Sequence, residues 1–185
     1  MAEHKELSSA GSTFKVVHLA GLPATDDSAK YAGGELKAKI LGWAVDGAYV
    51  TDGELSSCDE AAIVLDRTNF YAESGGQVGD TGWIVTSDGA FQVRDTQHGD
   101  SGRVLHIGTV TEGFLEVSST ASARVDAERR RDIVRHHTVT HLLHKALRDR
   151  LGDHVTQAGS LVSPDVARFD FTHDAGLTPD DLSAV

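Results

Sequence analysis

The chain has 185 residues, 39% of them hydrophobic, and a formal net charge of -11 at pH 7. This length and composition allow one ordinary globular domain or two small ones. A single cysteine, Cys58, excludes an internal disulfide framework. No run approaches the roughly twenty apolar residues that span a bilayer, and the N-terminal residues lack an apolar signal core. We therefore expect a cytoplasmic protein with no membrane partner.

Basic charge is concentrated in one part of this acidic chain. Residues 124–150 contain eight Lys/Arg and four Asp/Glu. The negative total argues against indiscriminate nucleic-acid binding, so we expect no DNA partner, whereas a local basic patch suits a selective phosphate-bearing partner. The alternative is a solvated helix face with i,i+4 ion pairs, which charge alone favours for ARVDAERRRDIVR.

The first two thirds of the chain read as short strands. Polar and apolar residues alternate from Glu35 to Ile40, which is typical of a strand with one buried face. Further strand-like runs are EAAIVLD (60–66), GWIVTS (82–87), FQVRD (91–95), RVLHIG (103–108) and FLEVSSTASARV (114–125). Asp88-Gly89 predicts a hairpin with a primed turn, because Gly adopts positive φ at low cost. This pattern predicts a small antiparallel barrel or sandwich.

From about Asp126 the hydrophobic period becomes helical, so the domain boundary is predicted near residue 125. Gly152 is the expected C-cap. The predicted apolar face combines the positions Ile133, His137, His141, His144, Leu142, Leu143, Ala146, Leu147 and Leu151.

Two strand-like runs follow this helix, VTQAGSLV and VARFDFTH, separated by a turn at Ser163-Pro164-Asp165. Thr178-Pro179-Asp180-Asp181 then has the features of a helix start: an N-cap residue, proline at the first position and acidic residues in the first turn. Because the chain ends only four residues after Asp181, we expect it to be cut from a longer polypeptide.

The pair His137 and His141 is a candidate half of a zinc site. Residues four apart share a helix face, so both imidazoles can reach one ion. A third ligand is not evident, since Cys58 is isolated and His173 is only a possible candidate. A short HxxxH motif also occurs by chance in packed helices. Thr138 stands where a metalloprotease requires Glu as general base, which excludes that class.

The stretch TNFYAESGGQVGDTGW (68–83) contains the second candidate site. Gly75 and Gly76 permit positive φ and close approach of a ligand, and Gln77 adds an amide that can donate and accept hydrogen bonds. The glycines could equally serve a barrel corner or bulge.

Together, LDRTNFYAESGGQVGDTG, HHTVTHLLHKALRDRLGDHVTQAGSLV and RFDFTH resemble the middle of bacterial-type alanyl-tRNA synthetases. The resemblance runs from about Lys15 to Val185. It implies an α+β fold: a small antiparallel β-barrel over 15–125 with a glycine-rich loop, then an incomplete two-layer α/β editing domain over 126–185. Residues 1–14 are expected to be a disordered N-terminal extension.

In that family the editing domain hydrolyses the ester of serine or glycine wrongly attached to tRNA-Ala. A pocket that admits the alanine methyl group cannot exclude glycine by size and rejects serine weakly, so a second selection step is needed. The resemblance thus implies two binding partners, the acceptor end of tRNA-Ala and a small amino-acid ester.

Residue by residue, His137 and His141 match the family's first two zinc ligands. Thr140 matches a position lining the amino-acid pocket and Gln157 an editing-site glutamine; we expect both to be catalytic. The expected substrate-binding residues are Gly75, Gly76 and Gln77, which match the glycine-rich loop beside the site.

The chain also departs from the family's full pattern. The remaining Zn²⁺ ligands, a Cys and a His of a CxxxH motif, would lie beyond Val185, and His136 stands where Asn is common. The aminoacylation core, with its ATP and Mg²⁺, would precede residue 1. We therefore expect this segment alone neither to activate alanine nor to hold zinc firmly.

Two alternatives remain at the level of sequence. One is a free-standing trans-editing deacylase, which should contain CxxxH in the same chain. The other is a non-catalytic RNA-binding module, in which the barrel and the basic segment supply affinity and the histidines merely pack. We expect His144 to be a solvent-facing or supporting residue of the helix, not a ligand.

Overall fold

The structure is a computed structural model, which describes residues 24–45, 48–56, 60–99 and 102–185. The chain divides into two compact units, Met1–Glu73 with Gly79–Ala127 and Ser74–Val78 with Glu128–Val185. The predicted extension 1–14 and the residue Cys58 lie outside the described residues.

The first unit is a closed antiparallel barrel. Its strands are β1 (Glu35–Val45), β2 (Ala48–Val50), β3 (Glu54–Leu55), β4 (Ala61–Leu65), β5 (Gly82–Val85), β6 (Gly89–His98), β7 (Val104–Gly113), β8 (Leu115–Glu116) and β9 (Thr120–Val125). Neighbouring strands follow the order β1-β4-β7-β6-β5-β9, and β9 pairs with β1 to close the ring. Strand β2 extends the sheet beyond β1, and β3 pairs with β8. The predicted barrel is therefore confirmed.

Apolar residues fill the barrel and also cover one part of its outside. Ile40, Phe70 and Phe91 belong to a main cluster of fully buried side chains. Every residue of β4 is buried, because Ala62 and Val64 join a second cluster with neighbours on β7. Burial on both faces explains why this run is continuously apolar instead of alternating.

The predicted hairpin at Asp88-Gly89 forms, but the predicted primed turn is wrong. Thr86 N donates to Gly89 O at 2.9 Å, and the Thr86 hydroxyl oxygen accepts from the Asp88 and Gly89 amides at 3.2 and 3.1 Å. Gly89 does not have positive φ. A glycine is required at this position because of crowding instead, since a Cβ on Gly89 would lie 2.4 Å from Phe114 O.

The predicted strand over 114–125 is divided in two, β8 and β9, by a turn. Ser118 lies in this turn with φ 72°, and its amide donates to Ile40 O at 2.8 Å. It is the one non-glycine residue with positive φ in the described part of the chain.

Ser118→Gly is expected to stabilise the barrel by about 0.5–1 kcal/mol. The left-handed conformation costs an L-residue roughly 1–2 kcal/mol, and glycine removes this cost. The gain exceeds the extra conformational entropy that glycine loses on folding. Urea unfolding of both proteins measures the difference. Ser119→Gly is the matched control and should lower stability, because the Ser119 hydroxyl donates to Glu116 O at 2.6 Å. A destabilised Ser118→Gly variant would contradict the strain argument.

The second unit combines two helices with a two-stranded antiparallel sheet. Its elements are α1 (Ala127–Leu151), β10 (Gln157–Val162), β11 (Ala167–Phe171) and α2 (Pro179–Ala184). Ser163 N donates to Val166 O at 3.0 Å in the predicted turn between the strands. The predicted C-cap is also confirmed, since Gly152 has φ 116° and its amide donates to Arg148 O at 2.9 Å. The α+β fold class follows from both units together.

The buried face of α1 is narrower than predicted. Ile133, Thr140 and Leu147 are its buried residues, spaced at intervals of seven. Leu142 is 64% exposed, so its predicted place on the buried face is wrong. Of the histidines, His137 is half-buried whereas His141 is exposed.

The N-terminal part of α1 has the solvent-exposed charged face that its charge pattern favoured. Arg131 pairs with Glu128 and Arg135 with Asp132, at 3.4 and 3.1 Å. Both pairs have i,i+3 spacing, and these side chains are largely exposed, so each adds little to stability.

The predicted start of α2 is confirmed. Thr178 caps the helix and forms a capping box with Asp181, and Pro179 is the first helical residue. Hydrogen bonds from the Thr178 hydroxyl and amide, with the Arg150 guanidinium at 2.8 Å, lower the pKa of Asp181 to about 2. Among the described residues, no helix is both long and apolar enough to cross a membrane.

Candidate functional site

The glycine pair forms a tight two-residue turn in the second unit. Ser74 N donates to Gln77 O at 3.1 Å, and Gln77 N donates to Ser74 O at 3.0 Å. Between them Gly75 has φ 61° and Gly76 has φ 85°. Positive φ at both central positions is the requirement of a type I′ turn, which Gly-Gly meets without strain.

Strand β10 holds this turn in place. Val78 N donates to Val162 O at 3.0 Å, and Val162 N donates to Gly76 O at 2.7 Å. A Cβ on Gly76 would lie 2.4 Å from Ser160 O. The segment predicted as a loop of the barrel domain therefore clusters with the second unit, and close approach is what the second glycine permits.

The turn brings Gln77 against the first histidine of the HxxxH pair. His137 Nδ1 lies 2.8 Å from Gln77 Oε1. The rings of His137 and His141 have centroids 4.9 Å apart with an interplanar angle of 43°. Sequence spacing predicted the histidine pair, but it gave no signal for its contact with a glutamine sixty positions earlier.

Thr140 lies in the same stretch of α1 and is 9% exposed. Its hydroxyl donates to His136 O at 2.9 Å, one helical turn earlier. The hydroxyl proton is therefore directed into the helix, and the oxygen lone pairs are what Thr140 can offer to another group.

Gln157 reaches the glycine turn through one intermediate side chain. Its amide nitrogen donates to Ser160 Oγ at 3.0 Å, and Ser160 Oγ donates to Gly75 O at 3.3 Å. Ser160 was not predicted, because a serine in a strand has no distinguishing pattern. The second unit thus brings together Gly75, Gly76, Gln77 and His137 directly, with Gln157 joined through Ser160.

The other histidines of this unit have different partners. His136 Nδ1 lies 2.7 Å from Ser163 O, and the ring of His144 lies 5.0 Å from that of Phe169. His173, the possible third ligand, has its Nδ1 2.9 Å from His154 Nε2. It therefore does not join the HxxxH pair.

Two imidazoles would fill half of a tetrahedral zinc site. Within the described ranges, no group of three or more His, Cys, Asp or Glu side chains could hold a metal ion. The residues His137 and His141 therefore fit zinc in donor type and spacing but not in number.

Comparison with known proteins identifies the family. Residues 1–129 match the family described as tRNA synthetases class II (A). The alanine-tRNA ligase of Dehalococcoides mccartyi is 54% identical over 124 residues, which cover 67% of this chain and 14% of that protein. The Chloroflexus aurantiacus alanine-tRNA ligase is 47% identical over 149 residues, 80% of this chain and 16% of its own length.

The alignment with the Methylobacillus flagellatus alanine-tRNA ligase covers 100% of this chain at 44% identity, and 21% of that protein. The chain thus spans about a fifth or less of the length of these curated relatives. With this identity and coverage, the chain belongs to the alanyl-tRNA synthetase family.

Proposed function

We propose that this chain is part of an alanine-tRNA ligase and contains the first residues of its editing site. This site removes serine or glycine wrongly attached to tRNA-Ala. The observation that carries the proposal is the contact of Gln77 with His137, one helical turn from His141. A glycine turn, a ligand-type histidine pair and a buried threonine within one compact unit suit a small polar substrate better than a packing role.

The substrate in this proposal is an aminoacyl ester at the acceptor end of tRNA-Ala. Water attacks the ester carbonyl, the bond to the terminal ribose breaks, and the ribose hydroxyl regains a proton. The whole ligase would also carry an aminoacylation core with ATP and Mg²⁺ and act in cytoplasmic protein synthesis.

His137 and His141 would hold a zinc ion, with a downstream Cys and His supplying the remaining ligands. Zinc held there would supply one of two things, a lower pKa for a water molecule or a binding point for the terminal adenosine. The chain's own contribution is to aim two imidazoles from successive turns of α1 at one point.

Thr140 would recognise the serine side chain. Because its hydroxyl proton is already donated to His136 O, its oxygen can accept the hydrogen bond of a serine hydroxyl. Alanine has no hydroxyl to offer, so this contact favours the misattached amino acid over the correct one.

Gln157 would orient the attacking water. Its amide nitrogen is engaged with Ser160, whereas its Oε1 accepts no hydrogen bond from the described residues. An amide oxygen is too weak a base to take the proton, so the expected role is positioning by accepting a hydrogen bond from the water.

A chimera tests this function in a complete enzyme. This chain replaces the matching segment of the Methylobacillus flagellatus alanine-tRNA ligase, which aligns over 100% of the chain. We expect the chimera to hydrolyse Ser-tRNA-Ala, and His141→Ala to reduce the rate by about a hundredfold, since even supporting residues of metal sites change activity by 10–100-fold. Gln157→Ala should lower the same rate while tRNA binding is retained.

Alanine attachment by the same chimera is the internal control, because it uses a different domain. Hydrolysis that survives His141→Ala unchanged, in a chimera without bound zinc, would contradict the proposal. A chimera that attaches alanine but neither hydrolyses Ser-tRNA-Ala nor binds zinc would support the non-catalytic RNA-binding alternative.

A further inference from the structure

The hydrogen bond between Gln77 and His137 determines which nitrogen of the imidazole carries its proton. His137 Nδ1 lies 2.8 Å from Gln77 Oε1. An amide oxygen only accepts hydrogen bonds, so Nδ1 must be the protonated nitrogen and must donate. In a neutral ring, Nε2 then keeps its lone pair.

We propose that Gln77 is a positioning residue that fixes His137 as the Nδ1–H tautomer and leaves Nε2 ready to bind a metal ion. The tautomer itself depends only on the contact described above. The role toward metal rests on the proposed zinc site. This assigns to Gln77 a function in preparing a ligand, in place of direct contact with the substrate.

The backbone around Gln77 is built to make this contact reproducible. A free glutamine side chain loses much conformational entropy when it is fixed, because it has several rotatable bonds. Here Gln77 closes the type I′ turn with Ser74, and the flanking residues Gly76 and Val78 are hydrogen-bonded to Val162 of β10. The side chain therefore starts from a fixed backbone position, which leaves only its own rotamers to be ordered.

The two histidines of the pair are prepared differently. His137 is half-buried and held by Gln77, whereas His141 is exposed and its ring has no hydrogen-bond partner among the described residues. The ring of His137 is thus oriented by a hydrogen bond, whereas the ring of His141 is not. Metal-binding histidines commonly donate their second nitrogen to an oxygen acceptor, which orients the ring and raises its basicity.

The opposite orientation of the Gln77 amide makes the opposite prediction. If its nitrogen donated to Nδ1, the proton of the neutral ring would have to lie on Nε2, which would then be blocked as a ligand. Measuring the tautomer therefore distinguishes the two arrangements directly.

The test is long-range proton-nitrogen NMR of histidine-labelled, metal-free chain at about pH 8, where an ordinary imidazole is neutral. We expect His137 to be the Nδ1–H tautomer. Gln77→Leu should give a mixture of tautomers, because leucine offers no acceptor. Gln77→Glu should keep the Nδ1–H form, since a carboxylate only accepts, and Gln92→Ala in the barrel is the control. An Nε2–H ring in the unaltered chain, or an Nδ1–H ring unaffected by Gln77→Leu, would overturn the inference.

Hydrolysis of Ser-tRNA-Ala by the chimera tests the role toward metal. Gln77→Leu should reduce the rate by about tenfold or more, with Gln77→Glu retaining most of it. The positioning role would be refuted if both Gln77 variants and the unaltered chimera had equal rates while His141→Ala was inactive. If His141→Ala is also fully active, the proposed function fails while the tautomer result stands.

Discussion

Gly76→Ala is expected to destabilise the second unit far more than Gly75→Ala, although the two residues are adjacent and both have positive φ. At Gly75 an added Cβ would meet nothing within 4 Å, so only the left-handed strain of about 1–2 kcal/mol applies. At Gly76 the Cβ would lie 2.4 Å from Ser160 O and 2.5 Å from Ser160 Oγ. The backbone oxygen cannot rotate away, so the turn must separate from β10.

That separation would break the hydrogen bonds from Val78 N to Val162 O and from Val162 N to Gly76 O. With overpacking added to strain, the total loss is expected to reach about 3 kcal/mol or more. Hydrogen exchange of the Val78 and Val162 amides measures the effect locally. Both amides should lose protection in Gly76→Ala and keep most of it in Gly75→Ala.

Gly75→Asn is a further control, because asparagine tolerates the left-handed region better than alanine. It should lie between the unaltered protein and Gly75→Ala. Equal loss of protection in Gly75→Ala and Gly76→Ala would show that φ alone, and not the approach of β10, makes glycine necessary in this turn.

The turn at Gly75 and Gly76 could be predicted from sequence only in part. Adjacent glycines predicted positive φ, which both residues have, and room for a ligand to approach the backbone. What approaches Gly76 is Ser160 of the chain itself, in a strand more than eighty residues later. Local sequence contains no information about which distant strand will pair with a turn, so the approach could be predicted but not its partner.

Strand prediction succeeded where the signal was long and failed where it was short. The alternation of Glu35–Ile40 identified β1, and the barrel followed from the number of such runs. Strands β2 and β3 have only three and two residues and exist because β1 and β8 offer them partners. The division of 114–125 depends on Ser118 adopting an unusual φ, for which serine is not a recognisable signal.

Helical spacing predicted which residues of α1 share a side but not how wide the buried part would be. The exposure of Leu142 depends on what packs against the helix, which lies outside the helix sequence. His137 and His141 were paired correctly because their relation is internal to one helix. The contacts of Gln77 and Ser160 are tertiary, and for that reason sequence did not reveal them.

Acidification from about pH 6.5 to pH 4 is expected to remove roughly 3 kcal/mol of barrel stability through one residue, His106. This side chain on β7 is fully buried. Its Nδ1 lies 3.0 Å from Ile63 O and its Nε2 2.8 Å from Thr68 Oγ1. Because the carbonyl only accepts, Nδ1–H donates to it, and Nε2 accepts the Thr68 hydroxyl proton.

Both nitrogens are thus satisfied in the neutral ring, and a second proton would place a positive charge inside the core. Burial lowers the pKa of His106 from 6.5 to about 4, against a smaller opposing effect of the hydrogen bond to Ile63 O. Between these two values the unfolded chain binds more protons than the folded one. Stability is therefore complete above about pH 6.5 and falls as the pH approaches 4.

Urea unfolding of the barrel at about pH 7.5, 6 and 5 measures this dependence. The variant His106→Gln removes the titrating group, so the difference between its curve and that of the unaltered protein isolates His106 from the other histidines. Thr68→Val separates packing from hydrogen bonding: it leaves Nε2 without its donor and should cost about 1–3 kcal/mol at neutral pH. Parallel pH curves for His106→Gln and the unaltered protein would mean that the ring takes up a proton as readily in the folded barrel as in the unfolded chain, so that burial does not lower its pKa.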